Sequence, residues 1–157
     1  MIDIHSHLIH GVDDGPATIK ESIRMVLEAE KLGIKAIIAT PHTYKDLYRI
    51  DRAYANFMEL KNRTADCGVE LYMGCEAFID PFAADGVKDG SIPTLNSSEY
   101  LLFELPFDSV PLYGYEIMYK LQLDNFIPII AHPERNRVFN SDFGAFISFI
   151  EKGCLVQ

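Results

Sequence analysis

The segment Ile34-Lys35-Ala36-Ile37-Ile38-Ala39-Thr40 is an apolar, β-branched run followed by Pro41-His42. Such a run is typical of a strand buried on both faces, as the strands of parallel sheets are. Upstream, Thr18 and Glu21 have the spacing of a capping box and predict the start of a helix that ends before Gly33. The apolar face of this helix is formed by Ile19, Ile23, Val26 and Leu27.

The same alternation of strand and helix continues along the chain. Strands are predicted at Met1–His5, Ile34–Thr40, Val69–Gly74, Tyr100–Leu105, Ile127–Ala131 and Cys154–Gln157. Further helices are predicted from Asp51 to about Cys67, at Leu112–Asn125 and at Asp142–Lys152. This order predicts an α/β domain with a mainly parallel sheet, either a barrel or an open doubly wound sheet. A barrel is favoured because no glycine-rich phosphate fingerprint follows the first strand.

Residues 1–157 are expected to form one domain, since no repeat, low-complexity segment or linker interrupts them. A barrel of parallel strands usually needs about 250 residues. The chain stops within a predicted strand, so we expect a domain that is incomplete at its C-terminus.

The composition excludes several classes of protein. The net charge is −9 and no Lys/Arg cluster is present, which argues against nucleic-acid binding. No apolar run is long enough to insert into a membrane, and no secretory signal is recognisable. The cytoplasm is therefore the expected location.

The cysteines do not indicate cysteine chemistry. Cys67, Cys75 and Cys154 are scattered, form no CxxC pair and are expected to be reduced thiols. Cysteine-dependent tyrosine phosphatases carry an Arg six residues after the nucleophilic Cys, whereas Met73 and Pro81 stand at that spacing here.

Histidines and carboxylates mark the ends of the predicted strands. His5 and His7 follow the first strand, His42 the second and His132 the fifth, while Glu76 and Glu104 come at the ends of the third and fourth. The C-terminal edge of parallel strands is where ligands and catalysis gather in α/β folds. Each residue alone could be an ordinary polar side chain, but their coincidence predicts a site for several metals.

The spacing of the first pair is informative. His5 and His7 share one face of an extended segment, so they can reach the same ion. Imidazoles mixed with carboxylates suit Zn²⁺, Mn²⁺ or Fe. His10 is not expected to be a ligand.

Several motifs together resemble a known family, and they occur in its order and at similar spacing over essentially the whole chain. They are Ile2-Asp3-Ile4-His5-Ser6-His7, Val12-Asp13-Asp14-Gly15, Ala39-Thr40-Pro41-His42, Gly74-Cys75-Glu76, Ile92-Pro93-Thr94-Leu95-Asn96, Phe103-Glu104 and Ile130-Ala131-His132-Pro133-Glu134-Arg135. The sequence resembles the bacterial manganese-dependent protein-tyrosine phosphatases of the polymerase-and-histidinol-phosphatase (PHP) superfamily. These enzymes are encoded with capsule and exopolysaccharide genes.

The resemblance implies a distorted (β/α)₇ barrel, here lacking its last strands and helices, with up to three metal ions, most commonly Mn²⁺. His5, His7 and Glu76 would hold the first metal. Glu76 would bridge to a second, which Glu104 and His132 also hold. Asp14 and His42 would contribute to a third. Arg135 would contact the phosphate.

Two departures from the family pattern stand out. The Ser-Asp-x-His motif, which supplies an Asp and a His to the metals, has no match after His132. Asn136 stands where an aromatic residue often follows the Glu-Arg pair.

The function implied is hydrolysis of phosphotyrosine in a protein, the partner being a cognate bacterial tyrosine kinase. One alternative is a phosphatase of the same superfamily that acts on a small molecule such as histidinol phosphate. The other is a non-catalytic fragment that folds by forming a homo-oligomer or by exchanging strands.

Overall fold

A computed structural model of the chain describes residues 1–43 and 50–157. Strands and helices alternate through both ranges, and the strands that pair within each part of the fold are parallel. The predicted α/β class with parallel strands is therefore confirmed. The chain divides into two compact units, Met1–Cys75 and Glu76–Gln157. No helix in the described ranges is long and apolar enough to cross a membrane.

The first unit is built on three parallel strands flanked by two helices. In chain order it contains β1 (Ile2–Ser6), α1 (Ile19–Lys31), β2 (Ala36–Ala39), β3 (His42–Thr43), α2 (Ile50–Arg63) and β4 (Glu70–Met73). The strands β1, β2 and β4 lie side by side with β2 in the centre. Ile37 and Ala39 of this central strand are buried, as the apolar run predicts. The strands β1 and β4 thus both pair with the strand that this apolar run forms.

The helix α1 begins as its sequence predicts. The Thr18 hydroxyl accepts a hydrogen bond from the Glu21 backbone N–H, and the Glu21 carboxylate accepts one from the Thr18 backbone N–H at 2.9 Å. The helix ends before Gly33, whose φ of +80° is left-handed and therefore suits glycine. Val26 packs in the core, whereas Leu27, predicted on the apolar face, is exposed.

The second unit contains further parallel strands and four helices. Its elements are β5 (Glu76–Phe78), α3 (Ala83–Lys88), β6 (Tyr100–Glu104), α4 (Leu112–Leu123), β7 (Ile127–Ile130), α5 (Arg137–Ser141), α6 (Phe143–Glu151) and β8 (Leu155–Val156). Here β5, β6, β7 and β8 lie side by side in this order. The core between these strands and α4 contains Leu102, Ile130, Met118 and Leu121.

Several elements of the structure were not predicted. The strands β3 and β5 and the helices α3 and α5 have only two to six residues each. Segments of this length are too short to show a hydrophobic period. Glu76 follows β4, the third predicted strand, as expected, and it also begins the unpredicted β5.

The cysteines behave as small apolar residues. Cys67 and Cys154 form no disulfide. Burial raises the pKa of the Cys154 thiol to about 11, so this thiol is protonated at neutral pH.

Candidate metal centre

In the first unit, two histidine rings converge at the end of β1. His5 lies within the strand and His7 just beyond it, and their Nε2 atoms are 3.2 Å apart. Bonds of about 2.1 Å from each nitrogen to one ion would span this separation. The pair thus has the geometry of two ligands to a common metal, which the HxH spacing predicts.

Asp13 fixes the orientation of His7. Its carboxylate accepts a hydrogen bond from His7 Nδ1 at 2.9 Å, from the Gly15 N–H at 2.9 Å and from the His42 N–H at 3.1 Å. Burial acts to raise the pKa of Asp13, but these hydrogen bonds outweigh it and hold the pKa below its ordinary value. With Nδ1 donating to Asp13, Nε2 of His7 is the nitrogen that can bind a metal.

The loop that carries Asp13 requires a glycine. A Cβ atom at Gly15 would lie 2.4 Å from the His7 carbonyl oxygen, so no other residue fits without a shift of the backbone. This close approach brings the loop against the end of β1. The sequence did not show that Asp13 would support a histidine.

Asp14 and His42 complete a second grouping in this unit. Asp14 is exposed, and its Oδ1 lies 3.5 Å from His7 Nδ1 and 3.6 Å from His42 Nε2. Each of the three residues offers a ligand atom within 4.8 Å of the other two. The separation of Asp14 Oδ1 and His42 Nε2 is longer than an ordinary hydrogen bond and leaves room for an ion.

In the second unit, two carboxylates share one face of the sheet. Glu76 of β5 pairs in register with Leu102 of β6, and Glu104 is two residues further along β6. Since alternate residues of a strand face the same way, Glu76 and Glu104 lie on the same side. Both are buried, with exposures of 0% and 3%, and they offer carboxylate oxygens within 4.8 Å of each other.

His132 approaches both carboxylates. Its Nε2 is 2.6 Å from Glu76 Oε1 and 3.9 Å from Glu104 Oε2. The backbone of His132 is left-handed, with φ of +32°, although the residue is not glycine. Backbone strain of this kind costs about 1–3 kcal/mol and is concentrated at functional sites. The end of β7 is thus bent so that the imidazole points to the carboxylate pair.

The donor set of each unit fits a divalent metal ion. Two neighbouring carboxylates removed from water repel one another, and an ion between them and an imidazole would offset that cost. Mixed imidazole and carboxylate ligands are those that Mn²⁺, Zn²⁺ and Fe²⁺ accept. These side chains can therefore hold a metal, though their chemistry does not select one ion among the three.

Two further residues from the sequence analysis lie outside these groupings. Arg135 ends a short 3₁₀ turn, Pro133–Arg135, directly after His132. It is exposed and has no ion-pair partner in the described part of the chain. His10 is not part of any metal grouping found among the described residues, and its Nε2 lies 3.8 Å from Glu59 Oε2.

Comparison with known proteins gives consistent matches over the full chain. The family model described as "Capsular polysaccharide synthesis, CpsB/CapC" matches residues 1–157. The "Putative tyrosine-protein phosphatase CapC" of Staphylococcus aureus is 37% identical over 100% of this chain and 63% of its own length. The tyrosine-protein phosphatase YwqE of Bacillus subtilis is 35% identical, again over 100% of this chain and 63% of its own length.

A solved structure matches the fold. Its description names YwqE from Bacillus subtilis and CpsB from Streptococcus pneumoniae as metal-dependent tyrosine phosphatases. The match has a TM-score of 0.94 and 35% sequence identity, and it covers 100% of this chain and 65% of that one. The present chain thus spans about two thirds or less of the length of these relatives.

Proposed function

Because this chain belongs to the CpsB/CapC family of capsular polysaccharide synthesis, we propose that it provides most of the metal site of a protein-tyrosine phosphatase. The observation that carries the proposal is the buried pair Glu76 and Glu104 with His132 beside it. A structural role alone would give no reason to bury two carboxylates together. The names of the relatives, tyrosine-protein phosphatases, indicate the reaction.

The proposed metal ligands are the histidines and carboxylates at the strand ends. They are His5, His7, Asp14, His42, Glu76, Glu104 and His132. Mn²⁺ is the proposed ion, with Zn²⁺ and Fe as alternatives. Bound divalent ions lower the pKa of water and offset the negative charge on phosphate oxygens.

Within this site, Arg135 is proposed to bind the phosphate. Its planar guanidinium can donate two parallel hydrogen bonds to neighbouring oxygens, which a lysine cannot do in the same geometry. The short turn that carries Arg135 begins directly after His132, so Arg135 is only three residues from a proposed metal ligand. The leaving group would be a tyrosine phenolate, which needs little help from a general acid.

The biological setting is also proposed. The substrate would be a phosphotyrosine protein, with a cognate bacterial tyrosine kinase as the natural candidate, and the reaction would regulate capsule or exopolysaccharide synthesis in the cytoplasm. The family's description as capsular polysaccharide synthesis supports this setting.

The test is an assay of phosphate release with two substrates. The chain with added Mn²⁺ would be given a phosphotyrosine peptide or histidinol phosphate, each with and without a chelator. Faster metal-dependent release from the peptide supports the proposal. Faster release from histidinol phosphate would favour the small-molecule phosphatase instead. No release from either substrate would contradict a catalytic role for this chain and favour the non-catalytic fragment.

A further inference from the structure

The loop that follows β6 carries an exposed aromatic ring that lines the same hollow as Arg135. Phe107 is 54% exposed, so much of its apolar ring is in contact with water. Phe107, His132 and Arg135 line one shallow hollow on the surface of the second unit. The hollow therefore combines a metal-ligand candidate, a cation and an apolar ring.

The Phe107 loop is held firmly against the segment that carries Arg135. Asn136 is 4% exposed, and its side-chain amide donates hydrogen bonds to the carbonyl oxygens of Pro106 at 2.7 Å and Ser109 at 3.0 Å. The backbone N–H of Arg137 donates to the Phe107 carbonyl oxygen at 2.8 Å. These three hydrogen bonds hold the backbone at Pro106, Phe107 and Ser109.

These hydrogen bonds give a structural role to Asn136, which departs from the family pattern. Asn136 stands where an aromatic residue often follows the Glu-Arg pair, and the structure shows its amide holding another loop instead. That loop presents Phe107, so an aromatic side chain still lines the same hollow as Arg135. An isolated exposed phenylalanine would need no explanation, but one anchored in the same hollow as a cation does.

We propose that Phe107 contacts the aromatic ring of the substrate and so selects aryl over alkyl phosphate esters. The proposal rests on the function proposed above and specifies its substrate class. A phosphotyrosine places a benzene ring next to its phosphate, whereas a phosphoserine does not. With Arg135 on the phosphate, the ring can pack against Phe107, and such aromatic pairs add to the energy of simple burial.

The test is a binding measurement that does not depend on turnover. Phenylphosphonate and methylphosphonate carry the same charged group, resist hydrolysis and differ in the ring alone. Their affinities for the Mn²⁺-loaded chain would be measured by titration calorimetry. We expect the wild-type chain to bind phenylphosphonate about 3- to 10-fold more tightly than methylphosphonate, the range that a single aromatic pair supports.

Four variants separate the contributions. Phe107→Ala should remove the preference for phenylphosphonate and leave the affinity for methylphosphonate unchanged, and Phe107→Tyr should restore the preference. Arg135→Ala should weaken the binding of both probes. Phe143→Ala is the matched control, because Phe143 is also an exposed phenylalanine but lies on α6, and it should behave as wild type.

The outcomes distinguish the two proposals. A Phe107→Ala variant that keeps the preference, or that binds methylphosphonate more weakly than the wild-type chain does, would overturn the role of Phe107. If the wild-type chain binds both probes with equal affinity, the selectivity fails while the phosphate site stands. If it binds neither, the proposed function itself fails.

Discussion

At the residue scale, the least expected side chain is Asp13. It contacts His7, Gly15 and His42 together, although it was not among the predicted ligands. Metal-binding histidines usually donate their second N–H to a carboxylate, which fixes the tautomer and the direction of the ring. Asp13 occupies that position for His7, while its neighbour Asp14 remains the exposed candidate ligand.

The contribution of Asp13 can be measured directly. The variant Asp13→Asn should bind Mn²⁺ about 10- to 100-fold more weakly, because the amide is a poorer acceptor for the His7 N–H. Calorimetric titration would give the affinity, and circular dichroism would check the fold. Asp89→Asn is the control, since Asp89 is an exposed carboxylate that accepts a hydrogen bond from the Ser91 backbone N–H. Equal affinities in the two variants would contradict the role assigned to Asp13.

At the scale of elements, Asn136 connects the start of α5 to the loop after β6. Its side-chain oxygen caps the helix by accepting a hydrogen bond from the Phe139 N–H at 3.0 Å, while its amide holds the Pro106 and Ser109 carbonyls. These partners lie 27 to 30 residues away in sequence. No local pattern could have indicated them, which is why the sequence showed Asn136 only as a departure.

The connection predicts a stability effect. In Asn136→Asp the helix cap can persist, but a buried carboxylate would face two carbonyl oxygens that have lost their donor. We expect the free energy of unfolding to fall by roughly 2 kcal/mol or more. Asn140→Asp is the control, because Asn140 is exposed and its amide donates, within the described ranges, only to the Glu134 carbonyl. This substitution should lower the free energy of unfolding by less than about 0.5 kcal/mol. Urea unfolding would give the free energy of unfolding of both variants. Equal losses of this free energy in the two would contradict the role assigned to the Asn136 amide.

At the scale of the whole molecule, the sequence predicted the α/β class well because long periodic segments carry strong signals. The run at residues 34–40 became the centre of one sheet, and Thr18 with Glu21 formed the capping box. The short β5 was missed, so the sequence placed Glu76 correctly after β4 but did not show that it also begins a strand. That residues 1–157 form a single domain stays a prediction.

Metal binding should stabilise the chain as a whole. An ion that binds only the folded state contributes about 2.7 kcal/mol at a concentration 100 times its Kd. For a chain of this size that corresponds to a rise in Tm of roughly 5–10 °C. Thermal unfolding with saturating Mn²⁺ should therefore show this rise, and a chelator should reverse it. A Tm that is the same with Mn²⁺ and with chelator would indicate that the clustered side chains hold no ion.

The most direct test of the central claim, that the strand-end histidines and carboxylates bind metal, is a titration of Mn²⁺ followed by electron paramagnetic resonance. Wild type should bind at least about one ion per chain, and His7→Ala and Glu104→Ala should each lose affinity by tenfold or more. The controls His10→Ala and Glu99→Ala should bind as wild type, because neither residue belongs to a metal grouping among the described residues. Binding by His7→Ala and Glu104→Ala that equals the controls, or no binding by wild type, would contradict the claim.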